Sequence, residues 1–329
     1  MAFKPNQVVI LPELAAHVGL ASPEFRVDCI IKGGMGECIR IVQRDRSFAL
    51  KVIKGELVEN AEAWNRYLRE LRLWTTLSAC DGVVEAFCIL RINELPAVCS
   101  RWMDGGNLRP HLRNRSPDSF FPVMSRIVGT LRWAHEHHGV IHRDLKPDNI
   151  LLDEAGVAFV SDWGLARPLT VPKCEPESRA VVSGSAHPAL TAAGSFLGTV
   201  YYASPEQLLG ETALDQRTDI YSLGCLMYEW EAGNRPFTGT TAEEVRLKHL
   251  FERPAPLAGV LRKTTFGAED AIHACLEKDP KKRLPDYGSL DLALAEAAKR
   301  RDVVYQPFQP ALRYGMPIAY ASHCTSVGR

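Results

Sequence analysis

The chain has 329 residues, with 39 lysines and arginines balanced by 39 aspartates and glutamates, so its formal net charge is zero. That balance removes the whole-chain electrostatic case for a nucleic-acid or acidic-membrane partner. An apolar fraction of 46 % and a charged fraction of 24 % fit a globular protein, and the length accommodates two lobes or two domains.

Residues 1–24 read as a flexible lead with room for one short helix. Pro5, Pro12 and Glu13 interrupt its apolar stretch and argue against a signal peptide. Phe25–Ile31, Cys38–Gln43 and Phe48–Ile53 are short β-prone runs divided by glycine-rich or charged turns. Residues 61–77 carry Trp64, Leu68, Leu71, Trp74 and Leu77 at helical spacing, which predicts a helix facing a core. Two more strands are predicted over Val83–Leu90 and Ala97–Trp102, and Asp104-Gly105-Gly106 breaks the pattern as a linker would.

Beyond that break the chain is mainly helical. Pro122–His138 sets Val123, Ile127, Leu131 and Ala134 on one face, with Pro122 near the helix start and His135, His137 and His138 at the end, where cations suit the dipole. Asp219–Trp230 is apolar nearly all round and predicts a buried helix. Residues 241–250, 268–277 and 289–300 are further helix candidates. Residues 167–197 are rich in Pro, Ser, Ala and Thr without periodicity and predict a long mobile loop. The stretch from Asp302 onward mixes prolines with aromatics and is expected to be a disordered tail, with docking on a surface as the alternative. Strands first and helices after imply an α+β protein in two unequal lobes. The nine cysteines are dispersed with no CxxC spacing, which fits reduced intracellular thiols and argues against a zinc site. No apolar run approaches the roughly 20 residues needed to span a bilayer, so a soluble, cytoplasmic protein is expected.

The chemistry concentrates in Gly139–Leu152. One short loop holds a carboxylate, Asp144, a cation, Lys146, and a carboxamide, Asn149, just before the β-prone Ile150-Leu151-Leu152. A second acid follows in Asp162-Trp163-Gly164. Phosphoryl transfer needs such a set: an acid to orient a hydroxyl, a cation beside the moving phosphoryl, and oxygens for a divalent ion. Upstream, Lys32-Gly33-Gly34-Met35-Gly36-Glu37 lies between two strands, where glycines let backbone N–H groups approach phosphates. In Phe48-Ala49-Leu50-Lys51-Val52, alternation turns Lys51 away from the face of its apolar neighbours.

These motifs, in this order, resemble the eukaryotic-like serine/threonine protein kinases of bacteria over about residues 25–300. The resemblance implies a bilobal protein-kinase-like α+β fold: a small antiparallel β-sheet lobe with one helix over 25–102, and a larger, mostly helical lobe over 103–301. Residues 1–24 would be a lead and 302–329 a Pro/aromatic tail. It implies ATP as phosphoryl donor, magnesium with manganese as an alternative ion, and protein Ser/Thr side chains as acceptors. Homodimerisation for self-phosphorylation stays open.

By the same resemblance Asp144 orients the acceptor hydroxyl, Lys146 neutralises the γ-phosphoryl, and Asn149 and Asp162 hold the metal. Lys51 meets the phosphates and pairs with a helix glutamate, Glu70 ahead of its rival Glu62. Ile31, Gly33, Gly34, Met35, Gly36 and Cys38 cover the nucleotide, with Ile31 standing where the family has a glycine. Ser100, at the gatekeeper position, and Trp102 would border the adenine. Thr199 would touch Asp144 and Lys146. Thr191, then Ser195, best match self-phosphorylated positions that Arg143 would answer. Structural roles fall to Arg143, Asp219, and a Glu206–Arg283 pair. Trp163 replaces a phenylalanine and brings an N–H that wants a partner. Two other readings stay open. One is a pseudokinase-like scaffold or ATP-binding module, suggested by Ile31 and Trp163. The other is a small-molecule phosphotransferase, opposed by the Gly198–Glu206 motif and Arg283.

Overall fold

In the computed structural model, which describes residues 3–32, 36–53, 68, 71–92, 95–113, 116–163, 167–168, 200–257, 267–313 and 319–320, the chain divides into two units. One comprises Met1–Gly105 with Ala311–Arg329, the other Gly106–Pro310.

The first unit is built on β1 (Val8–Ile10), β2 (Glu24–Lys32), β3 (Gly36–Gln43), β4 (Arg46–Ile53), β5 (Ala86–Ile92), β6 (Leu95–Arg101) and β12 (Ala319–Tyr320). They form one sheet in the order β1-β2-β3-β4-β6-β5-β12. Neighbours pair antiparallel except β12, which runs parallel to β5. The period of two places Phe25, Val27, Ile39, Ile41, Phe48, Leu50, Leu90 and Cys99 in one core. Helix α1 (Pro12–His17) covers it with the buried Leu14 and Ala15. The lead is therefore not a loose extension. Val9 pairs with Phe25 across β1 and β2, and Leu11 is fully buried. Only a handful of apolar positions carry this packing, too few to show periodicity in the sequence. Helix α2 (residues 71–77) buries Leu71, Trp74 and Leu77, and the Trp74 indole donates to Val84 O at 2.8 Å. Trp64 lies outside the described residues.

The second unit starts with β7 (Gly106–Asn107), which joins β9 (Ile150–Leu152) and β10 (Ala158–Val160) in a small sheet. A two-stranded ladder pairs β8 (Val140–Ile141) with β11 (Arg167–Pro168). The rest is mainly helical: α3 (Pro117–His138), α4 (Pro205–Leu208), α5 (Gln216–Ala232), α6 (Ala242–Phe251), α7 (Glu269–Cys275) and α8 (Tyr287–Lys299). Helix α3 begins at its Ser116 cap, which accepts from Asp118 N, and ends at Gly139 with φ 61°. Pro122 therefore sits inside the helix rather than at its start. The carbonyl it deprives of a donor, that of Asp118, belongs to an exposed residue. Helix α5 is buried almost throughout, as its composition predicts, from Thr218 to Ala232 with Glu229 only partly covered.

Residues 303–313 are held by partners, so this part of the stretch docks on a surface instead of staying disordered as its composition suggests. The Tyr305 hydroxyl donates to Asp291 Oδ1 at 2.6 Å, and Phe308 N donates to Ser125 Oγ at 2.9 Å. The Arg126 guanidinium lies between the rings of Phe159 and Phe308, 4.8 and 4.2 Å from their centroids. Within the first unit, Ala311 N donates to Asp81 Oδ1 at 3.0 Å and Arg313 N to Ala79 O at 2.6 Å.

Candidate active site

The loop between β8 and β9 carries the loop chemistry. Pro147–Asn149 forms a single 3-10 turn, and this short geometry folds the two neighbours of Asp144 back onto it. Lys146 Nζ lies 2.7 Å from Asp144 Oδ2. Asn149 Nδ2 donates to the same oxygen at 3.0 Å and to Asp144 O at 2.7 Å. With its nitrogen committed to Asp144, the Asn149 amide presents Oδ1 as its remaining polar atom. Ser161 N and Oγ both donate to Asn149 O at 2.9 Å. Asp162 follows directly, at φ 60°, a left-handed conformation unusual outside glycine. The pairing of β9 with β10, Ile150 opposite Val160, thus brings the Asn149 and Asp162 ends of the two strands together.

The backbone around Asp144 is held by side chains distant in sequence. Asp219, fully buried on α5, accepts His142 N at 2.7 Å on Oδ2 and Arg143 N at 2.8 Å on Oδ1. The Tyr287 hydroxyl also donates to Asp219 Oδ2, at 2.9 Å. Asp144 N donates to His142 Nδ1 at 3.3 Å, so that nitrogen is an acceptor and the opposite Nε2–H donates to Ser161 O at 2.9 Å. These two backbone groups fix the orientation of the imidazole ring. Trp163 packs against it, with ring centroids 4.7 Å apart. The Trp163 Nε1–H is buried and has no hydrogen-bond partner among the described residues.

Glu206 and Arg283 form a forked pair with both N···O distances at 2.7 Å. Arg283 spends its other donors on the carbonyls of Arg217, Glu277 and Lys278. Burial pushes the Glu206 carboxyl up, but the Arg283 fork and charge win and hold it below the ordinary value.

On the first unit, register sets Ile31 opposite Cys38, Cys38 opposite Lys51, and Lys51 opposite Val98. These four share the sheet face opposite the Phe48–Leu50 core, and Ala49 and Ser100 form the next pair on that face. Ile31, 54 % exposed, extends β2 where a glycine would loosen it. Trp102 is half-buried, with the Arg40 guanidinium 5.2 Å from its ring centroid. Gly36 opens β3. Gly33, Gly34, Met35, Glu62, Glu70, Thr191, Ser195 and Thr199 lie outside the described residues.

The family model for the protein kinase domain matches residues 27–293. This chain belongs to that family. It is 30 % identical over 262 residues to a probable serine/threonine-protein kinase of Clostridium perfringens, covering 78 % of this chain and 36 % of the relative. A probable serine/threonine-protein kinase PknB of Lactococcus lactis is 28 % identical, over 78 % of this chain and 39 % of its own length. The serine/threonine-protein kinase PknB of Mycolicibacterium smegmatis is 30 % identical, over 76 % and 39 %. The chain thus spans less than half the length of these relatives.

Several residues of this kinase domain were not singled out from sequence. Ser161 and Tyr287 act only through contacts that close on folding. Gln207 had a readable signal, because Ser204-Pro205-Glu206-Gln207 has capping-box spacing, and the box forms. A further network joins Arg109 to Asp148, at 2.6 Å, and to Glu229, at 3.5 Å, with the Tyr202 hydroxyl also donating to Glu229. Burial raises the Asp148 carboxyl, but the Arg109 fork and charge, with Lys146, hold it below the ordinary value.

Proposed function

We propose that this chain transfers the γ-phosphoryl of ATP to serine and threonine hydroxyls of proteins and self-phosphorylates its activation segment. The observation that carries this reading is the Asp144 carboxylate, clamped on Oδ2 by Lys146 and Asn149. Oδ1 is then the oxygen that meets the acceptor hydroxyl and takes its proton as the phosphoryl moves. Lys146, held at that carboxylate, lies where charge on the transferring phosphoryl would be neutralised. Lys51, on the sheet face it shares with Cys38 and Val98, would bind the phosphates of ATP, beneath Ile31 and Cys38 and beside Ser100 and Trp102.

The oxygen donors suit magnesium, a hard cation, better than a soft metal. Asn149 Oδ1 and the Asp162 carboxylate would hold it, and when bound it neutralises phosphate charge. Manganese would serve in the same oxygen set. Among the described residues no helix is long and apolar enough to cross a membrane, and the seven described cysteines are free thiols. The free thiols fit a cytoplasmic setting. Dimerisation would bring one activation segment to a second copy's site.

Purified protein incubated with labelled ATP and magnesium, beside an Asp144→Asn variant, tests the reading. Label on the parent and a loss of about 10³-fold or more in the variant are expected. Bound ATP without label on either would replace the enzyme with a scaffold. Transfer only to a small metabolite would make it a small-molecule phosphotransferase.

A further inference from the structure

The peptide joining Arg143 to Asp144 sets where the proposed catalytic carboxylate points. Its N–H is taken by His142 Nδ1 at 3.3 Å. Its carbonyl, Arg143 O, accepts from Gln207 Nε2 at 2.8 Å. Arg143 itself sits at φ 69°, a left-handed conformation that costs a non-glycine residue on the order of 1 kcal/mol or more and persists only where its surroundings enforce it. Asp219 grips the preceding peptide through Arg143 N. Gln207 is the side chain that grips the following one by its oxygen.

The other end of the same amide is equally committed. Gln207 Oε1 accepts from Ser204 N at 3.0 Å, while Ser204 Oγ accepts from Gln207 N at 3.4 Å. These two bonds are the capping box of α4, and the adjacent Glu206 is anchored by Arg283. One carboxamide therefore bolts the anchored start of α4 to the strained residue preceding Asp144. We propose that Gln207 is a positioning residue, whose amide donor fixes the Arg143–Asp144 peptide and with it the direction of the Asp144 carboxylate. The inference rests on the kinase reading above.

Glutamate at this position separates the two halves of the amide. Gln207→Glu keeps an oxygen to accept from Ser204 N, so the capping box survives, but places an acceptor against Arg143 O. Self-labelling by saturating ATP and magnesium is measured for the parent, Gln207→Glu and Ser204→Ala, with the ATP concentration at half-maximal rate and the Tm. Gln207→Glu is expected to lower the maximal rate about tenfold, leaving the half-maximal ATP concentration within about twofold, since a small misplacement of a reacting group acts on the chemical step. Ser204→Ala, which weakens the cap and keeps the amide donor, is expected to hold its maximal rate within about twofold.

A Gln207→Glu rate equal to the parent's, or an equal loss in Ser204→Ala, overturns the proposal. Should Gln207→Glu not fold, Gln207→Met removes the donor with an apolar chain of similar length, and a folded, fully active Gln207→Met overturns it too. A parent that takes no label would instead sink the kinase reading on which the inference stands.

Discussion

Arg283 shows how much one buried side chain can organise. Its guanidinium is fully covered, and its donors are divided among Glu206 and three carbonyls. Removing the carboxylate would take away the ion-pair partner of a buried cation. Glu206→Gln is therefore expected to cost about 3 kcal/mol, read as a lowered urea midpoint with little change in slope. Replacing both partners by methionine should recover part of that loss, because the uncompensated charge disappears with its partner. The pair was legible as a pairing of two motifs, but nothing in the sequence assigned the carbonyls of Arg217, Glu277 and Lys278 to the same guanidinium. Trp163 was legible in a different sense. Its N–H needed a partner, and the fold buries it without one among the described residues, a cost the ring's packing against His142 must outweigh.

Among elements, the tail contradicts its composition most plainly. Proline and aromatic content reads as disorder when it is scored alone, yet Tyr305, Gln306 and Phe308 dock against α3, with the Tyr305 hydroxyl reaching Asp291 on α8. Gly129 on that helix makes room for them. A Cβ there would lie 2.2 Å from Phe308 O, a contact with backbone that cannot rotate away. Gly129→Ala would stabilise an isolated helix. Here it is expected to destabilise by about 1–3 kcal/mol through overpacking. Limited proteolysis should then cut within residues 303–313, where the parent resists. The strands, by contrast, were legible to within a few residues, because alternation over β2, β3, β4 and β6 directly encodes which face is buried. In residues 1–24 the short helix was legible, but β1 and its docking were not. Their docking depends on a neighbour, β2, supplying the second half of each hydrogen bond.

For the whole molecule, response to acid follows from groups that folding has hidden. His249, buried on α6, is pulled down to about 3 by burial first and then by the charge of Lys278. Tyr221 links the two: Lys278 Nζ donates to its hydroxyl oxygen at 3.2 Å, and that hydroxyl lies 3.0 Å from His249 Nδ1. The folded histidine thus stays neutral where the unfolded chain would already be protonated. Stability should fall as pH drops from the ordinary value of 6.5 toward 3, by up to about 1.4 kcal/mol per pH unit. Glu206 adds in the same direction below the ordinary carboxylate value, since its stabilising contribution is lost as pH falls through its depressed folded value. Thermal unfolding across pH 7 to 5 should show a shallower decline for His249→Gln than for the parent, where Glu206 contributes little. Equal slopes would show that another group governs the acid limb.

What the amino-acid order determined alone is the local chemistry. Asp144, Lys146 and Asn149 are separated by so few bonds that one tight turn brings them together, whatever surrounds it. The sheet's buried face, too, is written in alternation that needs no partner to be read. Tertiary structure alone decided what holds that turn still. Asp219 lies 77 positions from His142, and Gln207 lies 64 from Arg143, yet each supplies the hydrogen bond that its backbone cannot find nearby. Backbone groups must be satisfied by whatever packing delivers. Such partners leave no period, spacing or composition in the string, so they become visible only once the chain has closed on itself.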